Sequence, residues 1–124
     1  MANSSELSVP NFSKLLFVTM LTLAIAALGM FGAYNSQASD PYVQQVLSLR
    51  GDDLRGSAIF QINCAGCHGV SASGNVGPDL RSVAQRKSDV RLIQQVISGK
   101  TPPMPKFQPA PQDMADLLSY LRTL

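Results

Sequence analysis

The densest chemistry in the sequence is Cys64-Ala65-Gly66-Cys67-His68, which gathers both cysteines and the single histidine of the chain into five residues. Two thiols three positions apart project from the same side of one helical turn. Each can add across one vinyl group of a porphyrin, giving two thioether bonds, and this spacing is the attachment pattern of a c-type haem. His68 is then carried beneath the ring, where an imidazole nitrogen can bind iron. Gly66 leaves room for the macrocycle to approach the backbone. Rival readings fit less well. A structural zinc site needs two more ligands, and the chain holds no other Cys or His. A thioredoxin-like dithiol belongs to a βαβ unit, of which the sequence has no sign. A disulfide between the pair requires that haem is never attached.

With His68 committed to one side of the iron, the sixth position falls to methionine or lysine, or stays open. The chain has five methionines. Met1 starts it, Met20 and Met30 lie in a long apolar run, and Met114 suits a core-filling place on the last helix. Met104 differs, because Pro102-Pro103-Met104-Pro105 stiffens the chain on both sides of it. A stiff loop holds a weak thioether ligand at little entropic cost. The residues therefore point to one covalent haem c whose metal ligands are His68 and Met104.

The elements that must position these groups are helical. Leu15 to Ala33 reads LLFVTMLTLAIAALGMFGA, without a charge and without a polar face at any periodicity. At 1.5 Å per residue it is about 28 Å long, close to the hydrocarbon thickness of a bilayer. Ser36-Gln37-Ala38 would also suit cleavage after Ala38, but the run is long for a signal peptide, and a retained anchor is expected. Lys14 fits an inside location for residues 1–14. Either fate exports the remainder of the chain. The expected divisions are a cytoplasmic segment at 1–14, a transmembrane anchor at 15–33, a linker with a short helix at 34–51 and a haem domain at 52–124.

In the linker, Asp40-Pro41 reads as a helix start and Gly51 as a stop, with Tyr42, Val43, Val46 and Leu47 at helical spacing. Asp52-Asp53 opens the next helix at its positive dipole end, with Leu54, Ala58, Ile59 and Ile62 as an apolar stripe and Phe60 beside it. GVSASGNVGP, from Gly69 to Pro78, is a loop by composition. Ser88 starts a helix with Val90, Ile93, Val96 and Ile97 on its apolar face and Gly99 as its end. Prolines then exclude helix and central strand up to Pro111. A last helix carries Met114, Leu117, Leu118, Tyr120 and Leu121. No strand pattern occurs, so the class is all-α.

Gly56-Ser57-Ala58-Ile59-Phe60, the CAGCH run, Gly77-Pro78-Asp79-Leu80, Met104-Pro105 and a terminal Leu-Ser-Tyr-Leu together resemble a class I monohaem cytochrome c, from about Leu54 to Leu124. Within that family, the anchor, the compact body and SGKTPPMPKF are most similar to the membrane-anchored cytochrome cM group of cyanobacteria. The resemblance implies a haem-wrapped helical domain in which first and last helices cross, Gly56 and Phe60 meeting Leu117, Tyr120 and Leu121. It also implies that the Pro78 carbonyl accepts a hydrogen bond from His68 Nδ1–H, and that Leu80 packs on the haem face.

Filled axial positions exclude a small-molecule substrate at iron, so an electron carrier rather than an enzyme is expected. Its redox donor and acceptor would lie on the extracytoplasmic side of the membrane, in a thylakoid lumen or periplasm, with a terminal oxidase or photosystem among the candidates. A haem subunit permanently docked in an oxidase or photosynthetic complex is the alternative. The formal charge of +2 is too small for a nucleic-acid binder. Arg81, Arg86, Lys87, Arg91, Lys100 and Lys106 form either a solvated helical face or a weak basic ring that steers an acidic partner.

Overall fold

In the computed structural model, which describes residues 12–124, the regular elements are helices, and no strand occurs among the described residues. Of the polar segment expected at 1–14, residues 1–11 lie outside them.

The chain divides into two compact units, residues 1–35 and 36–124. The first consists chiefly of helix α1, Phe12–Ala38, whose 27 residues overrun the expected span at both ends. Neither added stretch, 12–14 or 34–38, contains a proline to stop the helix. Its stretch from Phe12 to Ser36 is long and apolar enough to cross a membrane, with a mean hydropathy of 2.2 over its most apolar 18 residues. Leu15, Phe17, Leu21, Leu28 and Phe31 are all exposed. Thr19 and Thr22 donate their hydroxyls to the carbonyls of Leu16 and Thr19, each at 2.9 Å. Satisfied locally, these hydroxyls need no water.

The second unit begins with α2, Pro41–Ser48. Asp40 caps it, accepting from the backbone N–H of Tyr42 at 2.9 Å and of Val43 at 3.4 Å. A linker with a short helix was expected here, and the helix is present. But Val43 and Val46 are fully buried, at 0% and 1% exposure, and α2 belongs to the core of this unit.

Helix α3, Asp53–Asn63, is capped by Asp52 through the N–H groups of Leu54 and Arg55. It crosses α7, Pro111–Leu121, near the end of the chain. Gly56 makes the crossing close, since a Cβ there would collide with the Asp116 carbonyl and lie 2.8 Å from Tyr120 Cβ. Phe60 then meets the Tyr120 ring at 5.3 Å between centroids, and Leu117 is fully buried beneath them.

Part of the expected apolar stripe of α3 faces the other way, while its Ile59 packs against the core. Leu54 and Ile62 are 79% and 83% exposed, and the buried face is Gly56 and Phe60. Positions 54, 58 and 62 share one side of a helix and 56 and 60 another. Backbone proximity at the glycine decided between them, a term that hydrophobic periodicity does not contain.

Asp116, 1% exposed, is the buried charge of this crossing. Its Oδ1 accepts from the Asp52 N–H and from Gln112 Nε2, each at 2.9 Å. Its Oδ2 meets no aligned donor but has Arg55 Nε at 3.2 Å as counter-charge. The remaining long helix is α6, Asp89–Ser98, after two short ones, α4 (Ala65–His68) and α5 (Val83–Arg86). Val90, Leu92, Ile93, Val96 and Ile97 bury its apolar face, and Gly99 ends it with φ of 61°. Ser88 stands at its start, though its hydroxyl makes no capping bond.

Candidate functional site

Cys64 closes α3, and Ala65–His68 forms the single turn α4. No disulfide joins the two cysteines; Cys64 is half-buried and Cys67 exposed. Burial, with the Cys67 sulfur adding to it, pushes the Cys64 thiol above its ordinary range. His68 is 7% exposed.

The loop after it folds back over this turn through its own backbone. Gly74 N–H donates to the His68 carbonyl at 2.8 Å, Gly77 N–H to the Cys67 carbonyl at 2.7 Å, and Leu80 N–H to the Ala72 carbonyl at 2.8 Å. These bonds set Gly77 and Pro78 against the imidazole. His68 Nδ1 lies 2.9 Å from the Pro78 carbonyl oxygen, which can only accept, so Nδ1 carries the proton and Nε2 is the nitrogen left for a metal. A Cβ on Gly77 would stand 2.7 Å from His68 Cε1 and 2.8 Å from Nδ1, so glycine is required at that wall.

Beyond Pro78 the loop is held by charge. Arg81 pairs with Asp79 through its guanidinium and its backbone N–H, the latter at 2.8 Å. Those hydrogen bonds lower the Asp79 carboxyl from 3.8 to about 2. Arg86 donates to the carbonyls of Asp79 and Arg81 at 3.1 and 3.3 Å. Pro78, Asp79, Leu80, Val83, Arg86 and Lys87 line a cavity of about 330 Å³.

Met104 is half-buried against the hydrophobic core, as are Cys64, Leu80 and Phe107. Its N–H donates to the Thr101 carbonyl at 3.0 Å, forming a turn, and Phe107 N–H ties the loop to the Val96 carbonyl of α6 at 3.0 Å. The structure thus joins Cys64, Cys67, His68 and Pro78 in one hydrogen-bonded unit, and packs Leu80 and Met104 on the same core. Two neighbours escaped sequence reasoning. Gly77 was seen only as part of a motif, and Gln95 was passed over because only the apolar positions of its helix were followed.

The donor set fits a c-type haem: two free thiols at the required spacing, an imidazole with one nitrogen oriented, a glycine where any larger residue would displace the ring, and a half-buried thioether.

Comparison with known proteins agrees. Residues 51–121 match the family described as cytochrome c oxidase, cbb3-type, subunit III. A cytochrome c-553-like protein of Synechocystis sp. is 56% identical over 105 residues, which cover 85% of this chain and 97% of that one. A cytochrome bc1 complex cytochrome c subunit of Mycobacterium leprae is 34% identical over 87 residues, 62% of this chain but only 28% of the longer relative. The crystal structure of cytochrome cL from Hyphomicrobium denitrificans superposes with a TM-score of 0.54 over 68% of this chain and 59% of that one; at 23% identity it speaks for the fold alone. The chain belongs to the class I monohaem cytochromes c, electron-transfer proteins that bind haem c covalently.

Proposed function

We propose that the protein is a membrane-anchored one-electron carrier with its haem domain on the extracytoplasmic side, in a thylakoid lumen or periplasm. The observation that carries this reading is the hydrogen-bonded unit of Cys64, Cys67, His68 and Pro78, with His68 Nδ1 at 2.9 Å from the Pro78 oxygen. Haem c, when bound, supplies the one-electron chemistry of iron between its ferrous and ferric states. The two thiols fix the group to the chain. His68 offers Nε2 as ligand, and the Pro78 carbonyl holds the imidazole tautomer and ring orientation. Met104 would hold the iron as well, through a soft sulfur that favours the ferrous form. Leu80 and the core around it exclude water from the ring face, disfavouring the additional charge of the ferric form. With iron held by His68 and Met104, no position would be left for a small-molecule substrate, so the protein is read as a carrier rather than an enzyme.

Helix α1 supplies the anchor, and confinement to a membrane reduces the search for redox partners to two dimensions. The 56% identical relative from Synechocystis sp. supports placement in the anchored cytochrome cM group of cyanobacteria, with a terminal oxidase or photosystem among the partners. A second reading has its own support. A relative named as a bc1 complex subunit, and a matching family described as an oxidase subunit, favour a haem subunit permanently docked in such a complex. Co-purification with a large complex in mild detergent would select that reading.

The test of the common core is the recombinant full-length protein. It should retain one haem through denaturation and show sharp c-type bands on reduction. A purified chain with free thiols after co-expression of the haem-attachment machinery would refute it.

A further inference from the structure

Gln95 sits near the end of α6, on the side that faces the methionine loop. Its Nε2 group donates one hydrogen to Thr101 Oγ1 at 2.9 Å and directs the other at Met104 Sδ, 3.9 Å away. The partners decide which end of the amide points inward. A thioether sulfur carries lone pairs and no proton, so only the NH2 end of the carboxamide satisfies it. Thr101 closes the arrangement from the other side, because its carbonyl accepts from the Met104 N–H at 3.0 Å. Thr101 therefore fixes both the amide and the backbone of the residue that the amide addresses.

We infer that Gln95 is a positioning residue for the redox centre. Held by Thr101, it donates a hydrogen bond to the Met104 sulfur that raises the reduction potential. The inference rests on Met104 being the sixth ligand. A methionine sulfur has two lone pairs. With one given to iron, the second would be left for the amide. An N–H on that second pair withdraws electron density from the sulfur, making it a poorer donor to ferric iron. The positive end of the N–H dipole near the metal acts in the same direction, opposing the charge gained on oxidation. Both effects favour the ferrous state, so their signs do not have to be weighed against each other.

A bland alternative is that Gln95 merely lines the polar recess it shares with Lys87, Arg91, Gln94 and Lys100. Gln94 occupies the same recess without reaching the sulfur, and serves as the control.

The experiment uses full-length holoprotein in detergent, as wild type, Gln95→Leu, Thr101→Val, the double variant and Gln94→Leu. Each is read by equilibrium redox titration and by the sulfur-to-iron charge-transfer absorption of the ferric form. Loss of one neutral hydrogen bond should move the ferric/ferrous equilibrium about fivefold toward ferric in Gln95→Leu, with the charge-transfer band retained. Thr101→Val should shift it the same way by less. The double variant should stop at the Gln95→Leu value, because the threonine acts only through the amide. Gln94→Leu should match wild type.

An unchanged potential in Gln95→Leu with the band intact would overturn the inference and leave Met104 ligation standing. So would additive shifts in the double variant, or loss of the band in Gln95→Leu alone. Absence of the band from the wild-type protein would overturn both readings together.

Discussion

At the scale of single residues, His68 is governed by its surroundings more than by its own side chain. Two groups set its ring: the Pro78 carbonyl at 2.9 Å and the bare α-carbon of Gly77. Gly77→Ala would drive a methyl group to within 2.7 Å of the imidazole. The purified variant should carry haem on well under half of its chains, counted by intact-mass spectrometry. Full loading with an unaltered spectrum would show that the wall can yield. The Asp79–Arg81 pair makes a second, smaller prediction. Because folding lowers the Asp79 carboxyl from 3.8 to about 2, the pair's contribution is present above pH 3.8 and fades as the pH falls through about 2. Wild type should thus be more resistant to acid than Asp79→Asn near pH 4, and the two should converge near pH 2. The difference will be slight, since the pair is exposed. Coincident acid-unfolding curves at all pH values would deny the pair any part in holding this loop. The thiols, His68 and Met104 were legible as candidates because their chemistry requires particular residue types at a fixed spacing. Gln95 was not, because a glutamine on a helix announces nothing until its partners are known.

At the scale of elements, the close approach of α3 and α7 organises the domain, and Gly56 allows it. Gly56→Ala forces a methyl group into the Asp116 carbonyl and the Tyr120 Cβ, so the helices must part. The buried carboxylate is the other stake in the crossing. Asp116→Ala leaves the Asp52 N–H, Gln112 and the Arg55 charge without their acceptor, and should cost about 1–3 kcal/mol in denaturant unfolding. A loss below about 0.5 kcal/mol would show that water replaces it freely. The helices themselves were readable from caps, prolines and 3.6-residue periodicity. The face of α3 was legible only in part: Ile59 packs against the core, but Leu54 and Ile62 are exposed because the glycine sets which side meets α7.

Helix α2 carries the same lesson. Pro41–Ser48 lies before the region matched by the family, and its length suggested a connector. Yet Val43 and Val46 are fully buried, and the Tyr42 hydroxyl donates to the Pro109 carbonyl at 2.9 Å. That bond straps the loop beyond Met104. Burial, and to a lesser degree the charge of Asp113, raises the tyrosine pKa above its usual value, so the donor stays protonated at neutral pH. Val43→Ala should cost about 2 kcal/mol, the loss of two buried carbon groups with some cavity. Unchanged stability would return α2 to the status of a linker.

At the scale of the whole molecule, two units present different surfaces. One is an uninterrupted apolar helix with locally satisfied threonines; the other is a small helical domain with the haem-binding residues. The contrast was plain in the sequence, since a run without charges cannot be reconciled with a surface in water. How the domain meets a partner was not legible. Of the six cations on either side of the methionine loop, Arg81 and Arg86 are engaged by the loop at Asp79, whereas Lys87, Arg91 and Lys100 line one recess beside Gln95. If these three steer an acidic partner, the bimolecular electron-transfer rate should fall as salt rises through about 0.2 M. A flat salt response would leave them a solvated face.

The central claim is that iron is bound on both sides, by His68 and by Met104. Carbon monoxide binding to the ferrous full-length protein tests it most directly, wild type beside Met104→Ala. The native protein should refuse the gas and the variant should bind it tightly. Ready binding by the wild type, or refusal by the variant, would contradict a closed centre.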